Sequence, residues 1–369
     1  PDEAFITRGM GKGAVFACVV AIVLALVFYD GAMARFLTVS NQRRGIWDVI
    51  TSSNRKNLGE TIEQYDASFS GDAQSARERD QSMVDDYYTV ATDFYEYGWS
   101  QSFHFAHTLK TESFEASLLR HEARLADTIG LKKGMQVLDV GSGVGGPARA
   151  IANYSGADVL GITINAYQVE RSRLHTTEMN LDHLVKFQQM DFTKMTLESN
   201  TLDAAYAIEA TCHAPDLTEV YSEVLRVLKP GALFATYEWL LTDNHNETDP
   251  VHLKAQWDIE YGNGLPPLRT AKQVLEAAER VGLELVSEED LVNLEGDDTV
   301  PWYNHLDLNI ISAYMTHVTC WVTEKLGLAP KGTVAVHAML MHALDGLLMG
   351  GKLKTFTPMH LFVFRKPLV

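Results

Sequence analysis

Leu-Asp-Val-Gly-Ser-Gly-Val-Gly-Gly-Pro-Ala-Arg, residues 138–149, decides the fold. It follows a short apolar run, MQVLDV (135–140), that reads as a buried strand, and it leads into a helix over Gly145 to Tyr154. Gly141, Gly143 and Gly145 permit a tight strand-to-helix turn and a close approach of backbone to ligand. Such a turn can hold a dinucleotide, a phosphate or S-adenosyl-L-methionine, or it can serve helix–strand packing alone. Two details choose among these. Asp139 stands just before the glycines, where its charge repels a pyrophosphate but suits the ammonium end of S-adenosylmethionine. The acid that a nicotinamide fold places about 20 residues on, for the ribose, is missing from GITIN (161–165), and no GKS or GKT follows the glycines.

Working outward, strands and helices alternate. ADVLGI (157–162), VKFQQM (185–190), LDAAYAI (202–208) and ALFATYEW (232–239) read as strands. Helices are expected at Tyr167 to Met179, Asp216 to Leu228 and Ala271 to Val281, with a further one whose apolar face is Phe114, Leu118, Leu125 and Ile129. Strands at Leu283 to Val286 and Met359 to Phe364 complete the set. The alternation specifies a doubly wound, Rossmann-like α/β sheet with right-handed crossovers; read with the Asp139–glycine loop, the expected fold is that of the class I S-adenosylmethionine methyltransferases. Asn293 to Lys354, rich in aromatics and methionine, reads as a mixed insertion and a lid or substrate lobe. The expected organisation is an anchor at 1–36, a polar linker at 37–81, a methyltransferase domain at 82–290, and a lobe with the last strand at 291–369.

Within that frame Asp191 and Phe192 follow the third strand and are expected beside the adenine, while Asn165 and Gln168 are expected to face the ribose. The rival readings are an Asp capping a turn, a helix N-cap and a surface amide. IEATCHAP (208–215) ends the fourth strand, on the carboxyl edge where an open α/β sheet keeps its ligand. Its Glu209 and His213 suit proton removal, singly or as a coupled pair; the rival is a carboxylate accepting backbone amides and a helix-capping imidazole. YEYGWSQSFHF (95–105) packs Tyr95, Tyr97, Trp99, Phe103, His104 and Phe105 into eleven positions. It reads as a cover for the sheet, or as an electron-rich wall for a flat apolar molecule and a transient cation.

The formal net charge of -17 argues against a nucleic-acid partner and against strong binding to anionic lipid. Three dispersed cysteines form no CxxC or Cys/His cluster, so no metal is expected and the thiols read as free. Because the chain starts at Pro1 and not Met, it reads as a fragment or a processed form. Gly13 to Tyr29 is uncharged and almost wholly apolar, near the lower length for a membrane helix. Arg35, Arg43 and Arg44 outweigh the basic flank before it, which puts the main domain in the cytosol. A signal peptide cleaved at Ala32-Met33-Ala34 and a buried core helix are the rivals.

Together, YEYGWSQSFHF, LDVGSGVGGPAR, AIEATCHAP, YEWLLTD (237–243), PWY (301–303), EKLGLAPKGT (324–333) and GGKLKTFTPM (350–359) resemble the sterol 24-C-methyltransferases from about residue 87 to the end. Ser142 stands where many relatives carry cysteine, and GITIN replaces an asparagine-richer segment; neither change removes a glycine. The resemblance implies S-adenosylmethionine as cofactor, a Δ24-sterol as substrate, and attack of the side-chain double bond on the sulfonium methyl. A tertiary cation, a hydride shift and loss of a proton then give a 24-methylene sterol. It implies cation stabilisation by Tyr95, Tyr97 and Trp99 and a base at Glu209 or His213. It also implies a place in the endoplasmic reticulum membrane, and it leaves a homo-oligomer open. The aromatic box and IEATCHAP disfavour a phenol or a phospholipid amine as acceptor. The intact loop and acid–imidazole pair disfavour a non-catalytic sterol carrier.

Overall fold

The computed structural model describes residue 49 and residues 58–69, 81–294, 296 and 298–368. The apolar run at 13–29 and most of the segment read as a linker lie outside the described residues.

The strands of the central sheet are β1 (Gln136–Val140), β2 (Asp158–Thr163), β3 (Val185–Gln189), β4 (Leu202–Ile208), β5 (Leu228–Leu241), β6 (Glu284–Asp290) and β7 (Phe356–Arg365). Their spatial order is 3-2-1-4-5-7-6, with the two-residue strand Arg269–Thr270 beside β5. β3 through β5 run parallel, and β7 inserts antiparallel between β5 and β6. The order reverses at β1, so the β1 loop opens at the switch point where such sheets bind ligands.

Alternation along the strands divides the core. Val137, Ala204 and Tyr206 belong to one buried cluster; Leu138, Val140, Ala205 and Ala207 belong to another. Period-2 geometry puts the two clusters on opposite sheet faces. The covering helices are α3 (Phe114–Thr128), α4 (Gly146–Ser155), α5 (Ala166–Glu178), α6 (Leu217–Val227) and α8 (Ala271–Val281). They start where the sequence carries caps: Ser113, Asn165 and Asp216 each accept from a backbone N–H in the first turn.

A third cluster lies outside the sheet. It joins α1 (Leu58–Phe69), α2 (Gln81–Gly98), α9 (Asn304–Lys325) and α10 (Thr333–Leu353). Two expectations change here. Part of the presumed polar linker is α1, whose Leu58, Ile62, Tyr65 and Phe69 are buried at helical spacing. The expected mixed insertion is mostly the two long helices α9 and α10, with the short strand Thr299–Val300 before them. Helix α10 is long and apolar enough to cross a membrane by length and composition, but 56% of that apolar window is buried inside the molecule. Its buried side packs on α7 (Pro250–Asn263) so closely that a Cβ on Gly262 would meet the Ala343 nitrogen at 2.2 Å.

Candidate active site

Two cavities meet at the carboxyl edge of the sheet. The first is a cleft over the β1 loop, lined by Gly141, Ser142, Gly143, Thr163, Gln168 and Phe192, with Gln101 and Ala210 also in its wall. The second encloses about 870 Å³, open solvent at its mouth included, within the size range of small-molecule pockets. Tyr87, Tyr95, Trp99 and Phe105 form one side of it, Trp239 and Asn263 another, and Leu306, Leu340, Leu344 and Leu347 close it from the lobe. The cavities share five residues: Tyr88, Phe103, His104, Glu209 and His213.

The cleft is shaped by backbone that only glycine adopts easily. Gly141 has φ +86°, and a Cβ there would lie 2.4 Å from the Ala210 Cβ. The N–H groups of Gly141 and Ser142 both donate to the Ile162 carbonyl, at 3.0 and 2.8 Å, which ties the loop to the end of β2. Gly143 faces the cleft, whereas Gly145 turns away and caps α4 against Phe187. Asp139, expected at the cofactor, is almost wholly buried and does not itself line the cleft; burial lifts its pKa to about 7, against the lowering effect of a hydrogen bond from Tyr206. The Ser142 hydroxyl, in the cleft wall, is likewise buried without a partner.

The shared wall holds the acid–imidazole pair. Glu209, directly after β4, takes a left-handed backbone conformation, φ +53°, which strains a residue other than glycine. Its Oε1 accepts from the Phe105 N–H and its Oε2 from Trp239 Nε1, both at 2.7 Å. Burial raises its pKa to about 8, against the lowering effects of His104, Trp239 and Phe105. His213 sits on the turn Thr211–His213. Its Nδ1 donates to the Gly264 carbonyl at 3.2 Å, leaving Nε2 to accept from the Tyr88 hydroxyl at 2.8 Å. Burial pulls it down to about 4, so the ring is neutral at pH 7. His104 goes the other way. Burial opposes its charge, but the Glu122 carboxylate at 3.1 Å raises its pKa, and both ring nitrogens face acceptors.

The aromatic segment is the end of α2 and the loop after it. Tyr95 donates toward Asn263 Oδ1 at 3.2 Å and shares a hydrogen bond with the Tyr87 hydroxyl. Trp99 donates to the His104 carbonyl and packs edge-on against Phe105, Phe114 and His305.

Several expectations need correction. Tyr97 does not line the cavity; it packs toward the cluster around α1, because two helical steps rotate it about 200° from Tyr95. Asn165 does not face the cleft. Its Oδ1 caps α5, and its amide nitrogen clamps Asp85 and Thr89 of α2. Gln168 does line the cleft, with its Oε1 held by Thr163. Asp191 Oδ1 is taken by the N–H and hydroxyl of Thr193, a turn cap, and of this pair only Phe192 reaches the cleft. Tyr88, Trp239 and the α10 leucines line the site without any motif that marks them in the sequence as site residues. Tyr88 stands seven residues before Tyr95, a spacing that marks one helix face and was there to be read.

Residues 138–236 match the methyltransferase domain family, and residues 305–368 match the sterol methyltransferase C-terminal family. The fold is shared with the cyclopropane synthase MmaA2 from Mycobacterium tuberculosis, at a TM-score of 0.57 and 17% identity over 72% of this chain and 90% of that one. Fold and cleft define a class I methyltransferase that uses S-adenosylmethionine. The unpartnered Ser142 hydroxyl in the cleft wall and the glycine cradle beside it fit a ligand that takes hydrogen bonds and approaches the backbone closely, as that cofactor does.

A sterol 24-C-methyltransferase of Kluyveromyces lactis is 41% identical over 350 residues, covering 89% of this chain and 94% of its own length. The cycloartenol-C-24-methyltransferase 1 of Oryza sativa subsp. japonica is 42% identical over 334 residues, covering 88% and 96%. The chain belongs to the sterol 24-C-methyltransferase family.

Proposed function

We propose that this enzyme methylates C-24 of a Δ24-sterol side chain and releases a 24-methylene sterol. The observation that carries the reading is the shared wall, which sets an apolar, aromatic cavity directly against the cofactor cleft. Gly141, Gly143, Gln168 and Phe192 would hold S-adenosylmethionine, with Asp139 beneath its ammonium end. When bound, that cofactor supplies an electrophilic sulfonium methyl.

The chain's own residues do the rest. Leu306, Leu340, Leu344 and Leu347 take up the apolar sterol and exclude water from the side-chain cation. Tyr95, Trp99 and Phe103 line the cavity, where a π-face turned on that cation would stabilise it; a desolvated cation–π contact contributes up to about 2 kcal/mol. Glu209 takes the proton lost after the hydride shift. Its raised pKa suits a base working near neutrality, and a neighbouring positive charge favours its ionised form. The Tyr88–His213 pair lies on the same wall as the alternative acceptor. With His213 held neutral near 4, it is the weaker base.

The apolar run at 13–29 we assign to an anchor in the endoplasmic reticulum membrane, with the catalytic domain in the cytosol. Its basic C-terminal flank and the insolubility of sterols support this. Protease protection of sealed microsomes tests it: digestion of a C-terminal tag from outside is expected.

Labelled S-adenosylmethionine, offered with a Δ24-sterol and separately with the same sterol saturated at that bond, tests the reaction. Label should enter only the Δ24-sterol. Label in both, or in neither despite cofactor binding, overturns the alkene chemistry.

A further inference from the structure

Helix α9 is built inside out. Its buried positions are Thr316, Thr319, Cys320, Val322 and Thr323, of which only Val322 is aliphatic. Facing solvent are Leu308 and Ile311, each 75% exposed, and with them Tyr314, Met315, Val318 and Trp321. A surface helix ordinarily does the reverse, burying its large apolar residues and exposing its polar ones. Steps of three and four residues keep the exposed side chains on one stripe. From Leu308 to Thr323 there is no Asp, Glu, Lys or Arg, an uncharged stretch about 24 Å long at 1.5 Å per residue. Charges bracket it: Asp307, paired with Lys352 at 2.9 Å, and Glu324 with Lys325 at the far end. A solvent-facing apolar strip of this size marks an interaction site.

The stripe begins where the larger cavity ends. Leu306 lines that cavity, and His305 stacks on Phe114 at 3.8 Å and meets the edge of Trp99 at 5.0 Å. Leu308, the next apolar residue, is already in solvent. Whatever covers α9 therefore lies next to the Leu306 wall of the cavity. A bilayer fits that place. Trp and Tyr among aliphatic side chains are the composition of a helix lying in a membrane interface. The face has no cation of its own and the chain carries a net charge of -17, so the match is to zwitterionic and not to anionic lipid.

We propose that the Leu308–Trp321 face of α9 docks on a zwitterionic bilayer and sets the cavity mouth against it, so that sterol passes from lipid to cavity without crossing water. This rests on the sterol reading above, and it concerns a surface distinct from the apolar run at 13–29. The test uses the full chain. Δ24-sterol is presented either in phosphatidylcholine vesicles or as a soluble cyclodextrin complex. The double variant Leu308→Glu/Ile311→Glu should turn over vesicle sterol at least tenfold more slowly and cyclodextrin sterol within twofold of wild type. In parallel, vesicles of brominated phosphatidylcholine should quench the fluorescence that distinguishes wild type from Trp321→Phe. Equal rates of wild type and variant on vesicle sterol, or an unquenched Trp321, overturn the proposal. So does a lipid-free dimer that the double variant dissociates, or a lipid-free cross-link between α9 and residues 13–29. Wild type that turns over neither preparation removes the sterol reading instead, and the quenching of Trp321 still decides the docking.

Discussion

Replacing Glu209 by Gln separates catalysis from folding at one position. In the wild type, burial holds the carboxyl's pKa at about 8. A base must be ionised, and a group titrating at about 8 is about 9% ionised at pH 7 and about 91% at pH 9. Wild-type kcat/KM for a Δ24-sterol should therefore rise about tenfold over that interval and then level off. Gln cannot accept the proton, and losing a general base costs about 10²- to 10⁴-fold in rate. Stability moves the opposite way with pH. The folded pKa of about 8 lies above the ordinary 4.5, so folding takes up a proton between those values. The fold's preference for the neutral carboxyl is harmless below about 4.5, and stability falls as pH rises toward about 8, by about 5 kcal/mol in all. The Gln side chain lacks that slope. It keeps one oxygen for either Phe105 N–H or Trp239 Nε1 and turns its amide hydrogens on the other donor, which costs about 1–3 kcal/mol. The variant should be the less stable protein at pH 5, and the gap should close or reverse by pH 9. Methyl transfer and urea midpoints at pH 5, 7 and 9 measure both effects. A Glu209→Gln protein with at least half the wild-type turnover and the same alkaline rise refutes the reasoning.

Trp239→Phe removes the N–H that stabilises the Glu209 carboxylate, so the inflection of the kcat/KM profile should move to higher pH; a stationary inflection would mean that some other group titrates. Gly141→Ala places a methyl group 2.4 Å from Ala210 Cβ on left-handed backbone, and calorimetric titration should find S-adenosylhomocysteine binding at least tenfold weaker, a loss of about 1.4 kcal/mol. Glu96 is held down at about 2, against burial, by His175 at 2.6 Å and Arg171 at 2.9 Å. Its contribution is present above about 4.5 and is lost as pH falls toward 2, so Glu96→Gln should lower wild-type stability by about 3–5 kcal/mol at pH 7 and flatten the acid limb, read by thermal melts from pH 7 to 3.

Local chemistry is what the sequence by itself determined. The glycine loop, its strand and its helix were legible because turn geometry and hydrophobic period act over a few residues; Ala271–Val281 and Leu202–Ile208 have the bounds their patterns indicate. The placing of Glu209 and His213 at a strand end was legible for the same reason. Helix α1 carries its helical spacing in Leu58, Ile62, Tyr65 and Phe69, but the lobe they pack against is fixed only by the tertiary structure. The direction of β7 was not legible either, since an apolar strand carries no mark of whether it runs parallel or antiparallel to its neighbours. Side-chain destination was the tertiary structure's to decide. Tyr95, Tyr97 and Trp99 look alike in a string of letters, and helix phase separates the second from the other two. Asn165 could have capped a helix or faced a ribose, and the arrival of Asp85 and Thr89 from α2 settled it as a cap and clamp. The pKa values of Glu209 and His213 also come from packing, because desolvation depends on every element that closes over a group, and those elements lie far away along the chain.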